Sequence, residues 1–127
     1  MRSRAGSTKF PFSKPATVSQ VLADGDIIAA AGLSAVLTPG HTVGHVSYLH
    51  PASGTLFVGD AAALSPRKHL TLPVGDHDED PAATIASIEK MAGFNFETAC
   101  SGHGGTISRD ARVRMREFAE KVATRVH

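Results

Sequence analysis

Residues 38–45 of this chain read Thr-Pro-Gly-His-Thr-Val-Gly-His and contain its first histidine, His41. Farther along, Asp60 follows a glycine, and residues 101–105 read Ser-Gly-His-Gly-Gly around His103. Imidazole and carboxylate groups are common metal ligands, and glycine suits a loop that bends sharply to aim such a group inward. The three stretches are therefore candidate metal-ligand loops. Residue type and spacing alone also fit a structural loop histidine, a turn-capping aspartate and a glycine-rich hairpin tip.

Each candidate ligand comes directly after a predicted strand. Apolar runs between turn residues indicate five short strands, at residues 27–31, 33–37, 46–49, 55–58 and 97–101. His41 follows the second of these strands, Asp60 the fourth and His103 the fifth. Because strand ends in one sheet can converge on one edge, we predict that the three side chains lie close together.

Two amphipathic helices complete the predicted secondary structure. Asp80 can cap the first helix, with Pro81 in its first turn and Gly93 at its end. The apolar stripe of this helix is Ile85, Ile88 and Met91. Ser108 can cap the second helix, whose apolar positions follow the spacing of a helix packed on one side. They are Ala111, Met115, Phe118, Ala119 and Val122.

The composition is that of one ordinary globular domain. The chain has 127 residues and a formal net charge of +1, which gives no reason to expect nucleic acid or an anionic membrane as a partner. No apolar run approaches the roughly 18 residues of a membrane span. A single cysteine, Cys100, favours a reducing compartment, so we predict a cytoplasmic protein. Residues 1–17 are predicted to be a flexible lead-in and connector.

The three motifs, in this order and with these flanking residues, closely resemble the metallo-β-lactamase superfamily. The resemblance runs from about Asp24 to Ala119 and includes the first predicted helix. It implies an α/β (α+β) fold, the αββα sandwich, of which residues 18–127 would form the C-terminal half. We therefore expect four to five mainly antiparallel strands with two helices on one face.

The same resemblance implies one or two metal ions, usually zinc, and hydrolysis of esters, thioesters, amides or phosphodiesters by a metal-bound hydroxide. His41 matches a ligand of the first ion, Asp60 the carboxylate that bridges both ions, and His103 a ligand of the second. His45 matches no ligand and is predicted to support the ligands or to pack behind them.

One part of the family pattern is absent, namely the motif His-x-His-x-Asp-His, which in the family precedes the segment that contains His41. We therefore predict partial or absent zinc occupancy and little activity without a missing N-terminal half. The substrate would be a small molecule. Residues 61–67 lack the cysteine- and glycine-rich loop of glyoxalase II-like members, which disfavours that subfamily.

Other polar residues receive weaker functional predictions. Arg67, Lys68 and His69 lie in the long loop after Asp60, where family members place substrate-contacting residues, although exposed loop charges without a role are more common. Residues 76–80, Asp-His-Asp-Glu-Asp, are predicted to be a solvated acidic start of the first helix.

A different class of function is self-association without catalysis. Half of a sandwich exposes the apolar face of its sheet, and such patches seldom stay in water. A two-fold homodimer would cover the face and bring two sets of candidate ligands near the axis. Depending on strand register, we predict that this face includes Ile28, Val36, Val46 or Tyr48, and Phe57.

Overall fold

A computed structural model of the chain describes residues 14–73 and 78–124. Most of the predicted connector, residues 1–17, lies outside this range. Within it, the main sheet contains six strands, which are β1 (Ile27–Ile28), β2 (Leu33–Leu37), β3 (Val46–His50), β4 (Thr55–Gly59), β7 (Thr98–Ser101) and β8 (Thr106–Ile107). A two-stranded sheet contains β5 (Ala63–Leu64) and β6 (Leu70–Thr71), and the helices are α1 (Pro81–Ala92) and α2 (Ala111–Ala123).

The topology of the main sheet brings three strand ends to one edge. The strand order is β1-β2-β3-β4-β7-β8, and all neighbours are antiparallel except β4 and β7. Because β2 and β4 are both antiparallel to β3, the strands β2, β4 and β7 run in the same direction. Their C-terminal ends, which precede the three candidate ligands, therefore lie at the same edge of the sheet, as the sequence predicts.

Both helices pack on one face of this sheet. Alternation along β4 shows which face it is, because Leu56 and Val58 are buried whereas Phe57 between them is 42% exposed. The predicted helix stripes are all buried and join the strand residues in one core. These stripe residues are Ile85, Ile88, Met91, Ala111, Met115, Phe118, Ala119 and Val122. The predicted fold class, a mainly antiparallel sheet with two helices on one face, is confirmed.

The opposite face of the sheet carries Tyr48 and Phe57, which are register partners on neighbouring strands. The inclusion of Val36 in this face was wrong. Val36 pairs with the fully buried Ser47, is 1% exposed, and lies on the helix side of the sheet. Self-association through the opposite face stays a prediction.

The predicted cap of α2 was also wrong. The N-cap residue is Asp110, not Ser108, and the Asp110 side chain makes no capping hydrogen bond. Instead, Glu97, which lies outside the helix, caps its first turn. Its side-chain Oε1 accepts a hydrogen bond from Asp110 N at 2.9 Å, and its carbonyl accepts one from Ala111 N at 3.1 Å. The first turn of α2 is thus satisfied by the residue that precedes β7.

The long loop predicted after Asp60 contains the β5–β6 hairpin. Ser65 N donates to His69 O at 2.9 Å, and Lys68 N donates to Ser65 O at 2.8 Å, which closes the turn between the two strands. Leu64 N donates to His103 O at 2.9 Å, so the hairpin is attached to the third ligand loop. Within residues 14–73 and 78–124, neither helix has the length and apolar character needed to cross a bilayer.

Candidate metal centre

The three candidate ligand loops meet at a cavity on the shared strand edge. The cavity has a volume of about 180 Å³, and His41, Asp60 and His103 all line it. The remaining lining residues are Ala62, Ala63 and Pro73. The structure thus brings together the three residues that the sequence singled out as ligands, although 62 positions separate the first from the last.

Asp60 and His103 are in direct contact, with Asp60 Oδ1 3.2 Å from His103 Nε2. Two ligands bonded at about 2.0–2.2 Å to one tetrahedral ion lie roughly 3.3–3.5 Å apart. The observed spacing is therefore close to one edge of a coordination tetrahedron. Gly102 makes this approach possible, because a Cβ atom there would stand 2.7 Å from Asp60 Oδ1.

His41 contributes a polar atom that no described group satisfies. Its Nδ1 is buried and has no hydrogen-bond partner among residues 14–73 and 78–124. Leaving a buried acceptor or donor unpaired costs about 1–3 kcal/mol. A metal ion satisfies such a ring nitrogen, so the donor chemistry of His41 fits the predicted role.

The number of converging ligands falls short of a complete site. In the part of the chain that the structure describes, no three His, Cys, Asp or Glu side chains are grouped so that they could hold one ion. Asp60 and His103 form a pair, and His41 lines the same cavity apart from them. A catalytic zinc ion takes about three protein ligands and keeps one open position. The residues present thus fit a metal in type and in pairwise spacing, but they supply only part of a site.

The start of α1 holds the His41 loop in place. Asp80 N donates to Gly40 O at 2.8 Å, and Glu79 N donates to His41 O at 3.2 Å. The Glu79 side chain also accepts a hydrogen bond from Val43 N at 2.8 Å. Glu79 is exposed, in line with the prediction of a solvated acidic helix start, but its side chain also binds the loop backbone. Asp80 caps α1 as predicted, and residues 76–77 lie outside the described residues.

His45 lies behind Asp60 and holds its backbone. Asp60 N donates to His45 Nε2 at 2.9 Å, so this nitrogen is the acceptor and Nδ1 carries the ring proton in the neutral form. Nδ1 is 2.8 Å from Thr38 Oγ1, and Thr38 Oγ1 is 2.8 Å from the Oγ atom of buried Ser47. Ser47 in turn donates to Val58 O at 3.0 Å. A directed chain of hydrogen bonds thus fixes the His45 tautomer and the start of the Asp60 loop.

The same environment disfavours a charged His45. Burial lowers the pKa of His45 below its ordinary value of 6.5, while the Asp60 charge opposes the shift in part. Protonation would also place a second N–H against the Asp60 amide, which is itself a donor. His45 therefore acts as a neutral acceptor.

We expect the free energy of unfolding to fall as the pH is lowered through and below 6.5. With a folded pKa below the unfolded value, the unfolded chain binds a proton first, so the contribution of His45 is complete above pH 6.5 and is lost as the pH falls toward the folded pKa. Urea unfolding at several pH values should show a steeper loss for the native chain than for His45→Gln. Equal slopes would contradict this assignment.

Arg67, Lys68 and His69 do not line the cavity of the candidate ligands. They lie around the β5–β6 turn and border a neighbouring cavity of about 340 Å³, together with residues of α2. Sequence reasoning missed the contribution of Arg114 and Lys121 to this second cavity, because charged residues opposite the apolar stripe of a helix usually face solvent. A spacing of seven residues on a helix puts Arg114 and Lys121 on one side, which was the available signal.

Comparison with protein families gives a direct match. The model of the metallo-beta-lactamase superfamily matches residues 2–103. A hydroxyacylglutathione hydrolase of Fuscovulum blasticum is 35% identical over 89 residues, which are 68% of this chain and 32% of that protein. The thioesterase pkgB of Emericella nidulans is 32% identical over 106 residues, 82% of this chain and 29% of that protein. The chain thus spans about a third of the length of these relatives. The match to a hydroxyacylglutathione hydrolase does not support the prediction that disfavoured glyoxalase II-like members.

Solved structures share the fold. A metallo-beta-lactamase family protein from Thermus thermophilus, TTHA1429, superposes with a TM-score of 0.70 at 24% identity, covering 98% of this chain and 42% of that one. TTHA1623 in a di-iron-bound form gives a TM-score of 0.65 at 24% identity, covering 89% of this chain and 56% of that one. At these identities the likeness concerns the fold alone.

Proposed function

The chain belongs to the metallo-β-lactamase superfamily, and we propose that it contributes His41, Asp60 and His103 to the metal site of a hydrolase that cleaves thioesters. The observation that carries this proposal is the 3.2 Å spacing of Asp60 Oδ1 and His103 Nε2 on a cavity that His41 also lines. The meeting of three ligand-type side chains from three separate loops at one strand edge supports a metal-binding role.

The thioester proposal draws on the relatives. Both curated relatives described above carry names of thioester-cleaving enzymes, a hydroxyacylglutathione hydrolase and a thioesterase. The matched segment covers about a third of each relative. Thioester cleavage is therefore proposed for the metal centre to which this chain contributes ligands. A small-molecule thioester is the substrate class that follows.

Zinc is the proposed metal, because two imidazoles and a carboxylate are ligands that zinc accepts readily. A structural neighbour holds iron, so iron(II) is the alternative ion to measure. When bound, the metal would polarise the thioester carbonyl as a Lewis acid. His41, Asp60 and His103 are the residues that would hold it.

The other residues of this chain position those ligands. His45 Nε2 accepts a hydrogen bond from the Asp60 amide, which fixes the backbone at the point where Asp60 leaves β4. The Asp60 and His103 side chains remain 42% and 75% exposed. A substrate can therefore reach the pair from solvent without any movement of the core.

A site of two ions needs more than three protein ligands, and within residues 14–73 and 78–124 no three ligand-type side chains are grouped around a single ion position. We therefore propose that this segment binds metal weakly by itself and hydrolyses thioesters only when the His-x-His-x-Asp-His ligands of an N-terminal half are supplied. This requirement concerns the number of ligands and is independent of the choice of zinc or iron.

Metal titration tests the ligand assignment without any activity measurement. We expect Asp60→Ala and His103→Ala each to weaken zinc binding by more than about tenfold, since even the loss of a group that merely supports a ligand costs 10- to 100-fold. Glu120→Ala is the control, because Glu120 is an exposed carboxylate on α2 remote from the cavity. The readout is competition with a chromogenic chelator, for zinc and for iron(II). Unchanged affinity in both ligand variants would overturn the assignment.

Hydrolysis of a simple acyl thioester tests the activity itself. The chain is assayed alone and together with a polypeptide that carries the N-terminal half of a family member, including the His-x-His-x-Asp-His motif. We expect turnover only in the mixture. Full activity of the chain alone would contradict the proposed need for further ligands, and no activity in a mixture that retains metal would contradict hydrolysis.

A further inference from the structure

The second cavity lies between the β5–β6 hairpin and α2. Its volume is about 340 Å³, and its floor includes Leu70 and the buried Phe118. Its rim carries four cationic side chains and a single carboxylate, that of Glu117. The cationic residues are Arg67, Lys68, Arg114 and Lys121. This surplus of positive charge contrasts with a formal net charge of only +1 for the whole chain.

The four cations are not neutralised by neighbouring acids. Among residues 14–73 and 78–124, the two ion pairs with N···O distances within 4.0 Å are Lys90–Asp24 and His103–Asp60. Neither pair involves the cavity. The existing hydrogen bonds of the rim cations go to backbone carbonyls instead, so their charge remains available to a bound anion.

Lys68 occupies a backbone conformation that favours glycine. Its φ angle is 64°, in the left-handed region, which costs a residue with a Cβ roughly 1–2 kcal/mol relative to glycine. This position closes the β5–β6 turn, where glycine would serve the backbone better. The long cationic side chain at this position therefore points to a role beyond the turn.

Two hydrogen bonds connect the cavity to the candidate metal centre. Lys68 Nζ donates to the carbonyl of Gly104, the residue next to His103. Arg114 Nη1 donates to Lys68 O at 3.2 Å, which links α2 to the same turn. A group bound between Lys68 and Arg114 would thus lie beside the loop that carries His103.

We propose that this cavity binds a phosphate group on the thiol portion of the thioester substrate, while the acyl carbonyl lies at the metal centre. The identification of the ligand as a thioester substrate rests on the proposed function, whereas the anion-binding site itself rests on the charges of the rim. Guanidinium and ammonium groups together match a phosphate, which accepts several charge-assisted hydrogen bonds. A rim with four cations and one carboxylate suits a dianionic phosphate better than a ligand that carries a single carboxylate group.

The concave shape indicates a small group rather than a nucleic acid. Nucleic-acid binding uses a basic stripe that follows a charged backbone over many residues. Here the positive rim surrounds one depression with an apolar floor, and the chain as a whole is almost neutral. A terminal phosphate can enter this depression, whereas a duplex cannot.

The first experiment measures anion binding to the metal-free chain by NMR titration with pyrophosphate and, separately, with acetate. We expect pyrophosphate to shift the amide signals around Lys68 and Arg114, and acetate to bind at least tenfold more weakly. Lys68→Gly and Arg114→Gln should each weaken pyrophosphate binding by about threefold to tenfold, the usual effect of one partly exposed charge-assisted contact. Glu117→Gln should strengthen it about twofold to fivefold, because it removes the opposing charge.

Two features of the variants keep the result interpretable. Lys68→Gly relieves the left-handed conformation, so a loss of binding cannot be assigned to misfolding if its thermal midpoint is unchanged or raised. Arg116→Gln removes the same charge from the same helix, but Arg116 borders a different cleft and should leave binding unchanged. Equal weakening by Arg114→Gln and Arg116→Gln, or signal changes that are not localised to the cavity, would overturn the proposal.

The second experiment separates this inference from the proposed function. In the mixture with the N-terminal half, the KM for an acyl-phosphopantetheine thioester should rise threefold to tenfold in Lys121→Gln, while the KM for the phosphate-free acyl-N-acetylcysteamine thioester should not change. Lys121 borders the second cavity but does not line the cavity of the candidate ligands. Localised pyrophosphate binding with no hydrolysis of either ester would support the anion site and overturn the hydrolase. Hydrolysis of both esters with equal KM values and no pyrophosphate binding would support the hydrolase and overturn the anion site.

Discussion

Gly40→Ala is expected to lower the free energy of unfolding by about 3 kcal/mol or more, the upper range for a steric clash in a packed region. A Cβ atom at this position would stand 2.2 Å from Thr84 Oγ1 and 2.5 Å from both Thr84 Cα and Thr84 N. Two of these atoms belong to the backbone of the first turn of α1 and cannot rotate away. The φ angle of +146° adds strain for any residue other than glycine.

Gly25→Ala is the matched control for this effect. Gly25 also has a positive φ angle, +85°, but an added Cβ would meet no atom within 4 Å. Its replacement should therefore cost only the conformational strain, about 1–2 kcal/mol. Urea unfolding of both variants measures the difference directly. If the two variants lose the same stability, the close contact between Gly40 and α1 is not present in solution.

The clash at Gly40 also has a functional consequence. The hydrogen bond from Asp80 N to Gly40 O joins the His41 loop to the start of α1. Separating the two to admit a methyl group would move the His41 ring away from the cavity that it shares with Asp60 and His103. The glycine next to His41 thus serves the site by letting the loop lie against a helix, and not only by allowing a sharp turn.

Local signals in the sequence predicted both helices, the convergence of the ligand loops and five strands, but not β5, β6 or β8. The helix stripes follow a regular period, and glycine and proline mark the turns, so these features depend on neighbouring residues alone. Convergence of the ligand loops also requires that the strands before His41, Asp60 and His103 run in one direction. The sheet order, with β4 parallel to β7, shows that they do.

Features that depend on distant pairings were not predictable from the same signals. Ala35 and Val36 are each 1% exposed, so β2 is buried on both faces and has no alternation to show which side meets the helices. The α2 cap comes from Glu97, 13 positions before Asp110. Glu79 reaches Val43 across 36 positions. Each of these contacts follows from the register of the whole sheet against the helices, which no short stretch encodes.

The hydrogen-bond chain behind Asp60 gives the second large effect, because Thr38 is 1% exposed and serves two partners with one hydroxyl. Valine has nearly the same shape but no hydroxyl. In Thr38→Val the proton on the half-buried His45 Nδ1 loses its acceptor, and the fully buried Ser47 loses a donor. With about 1–3 kcal/mol for each unsatisfied buried group, we expect a loss of about 2–4 kcal/mol in the free energy of unfolding.

Thr38→Ser retains the hydroxyl and removes one buried methyl group, so it should cost only about 1 kcal/mol. Urea unfolding compares the two variants, and the ¹⁵N shifts of His45 report whether Nε2 is still the acceptor of the Asp60 amide. We expect Thr38→Val to leave the His45 ring mobile and to weaken zinc binding roughly tenfold, as the loss of a supporting hydrogen bond does in other metal sites. If Thr38→Ser is as harmful as Thr38→Val, packing of the methyl group matters more than the hydrogen bonds. In that case Thr38 would not be the residue that orients His45 against the Asp60 loop.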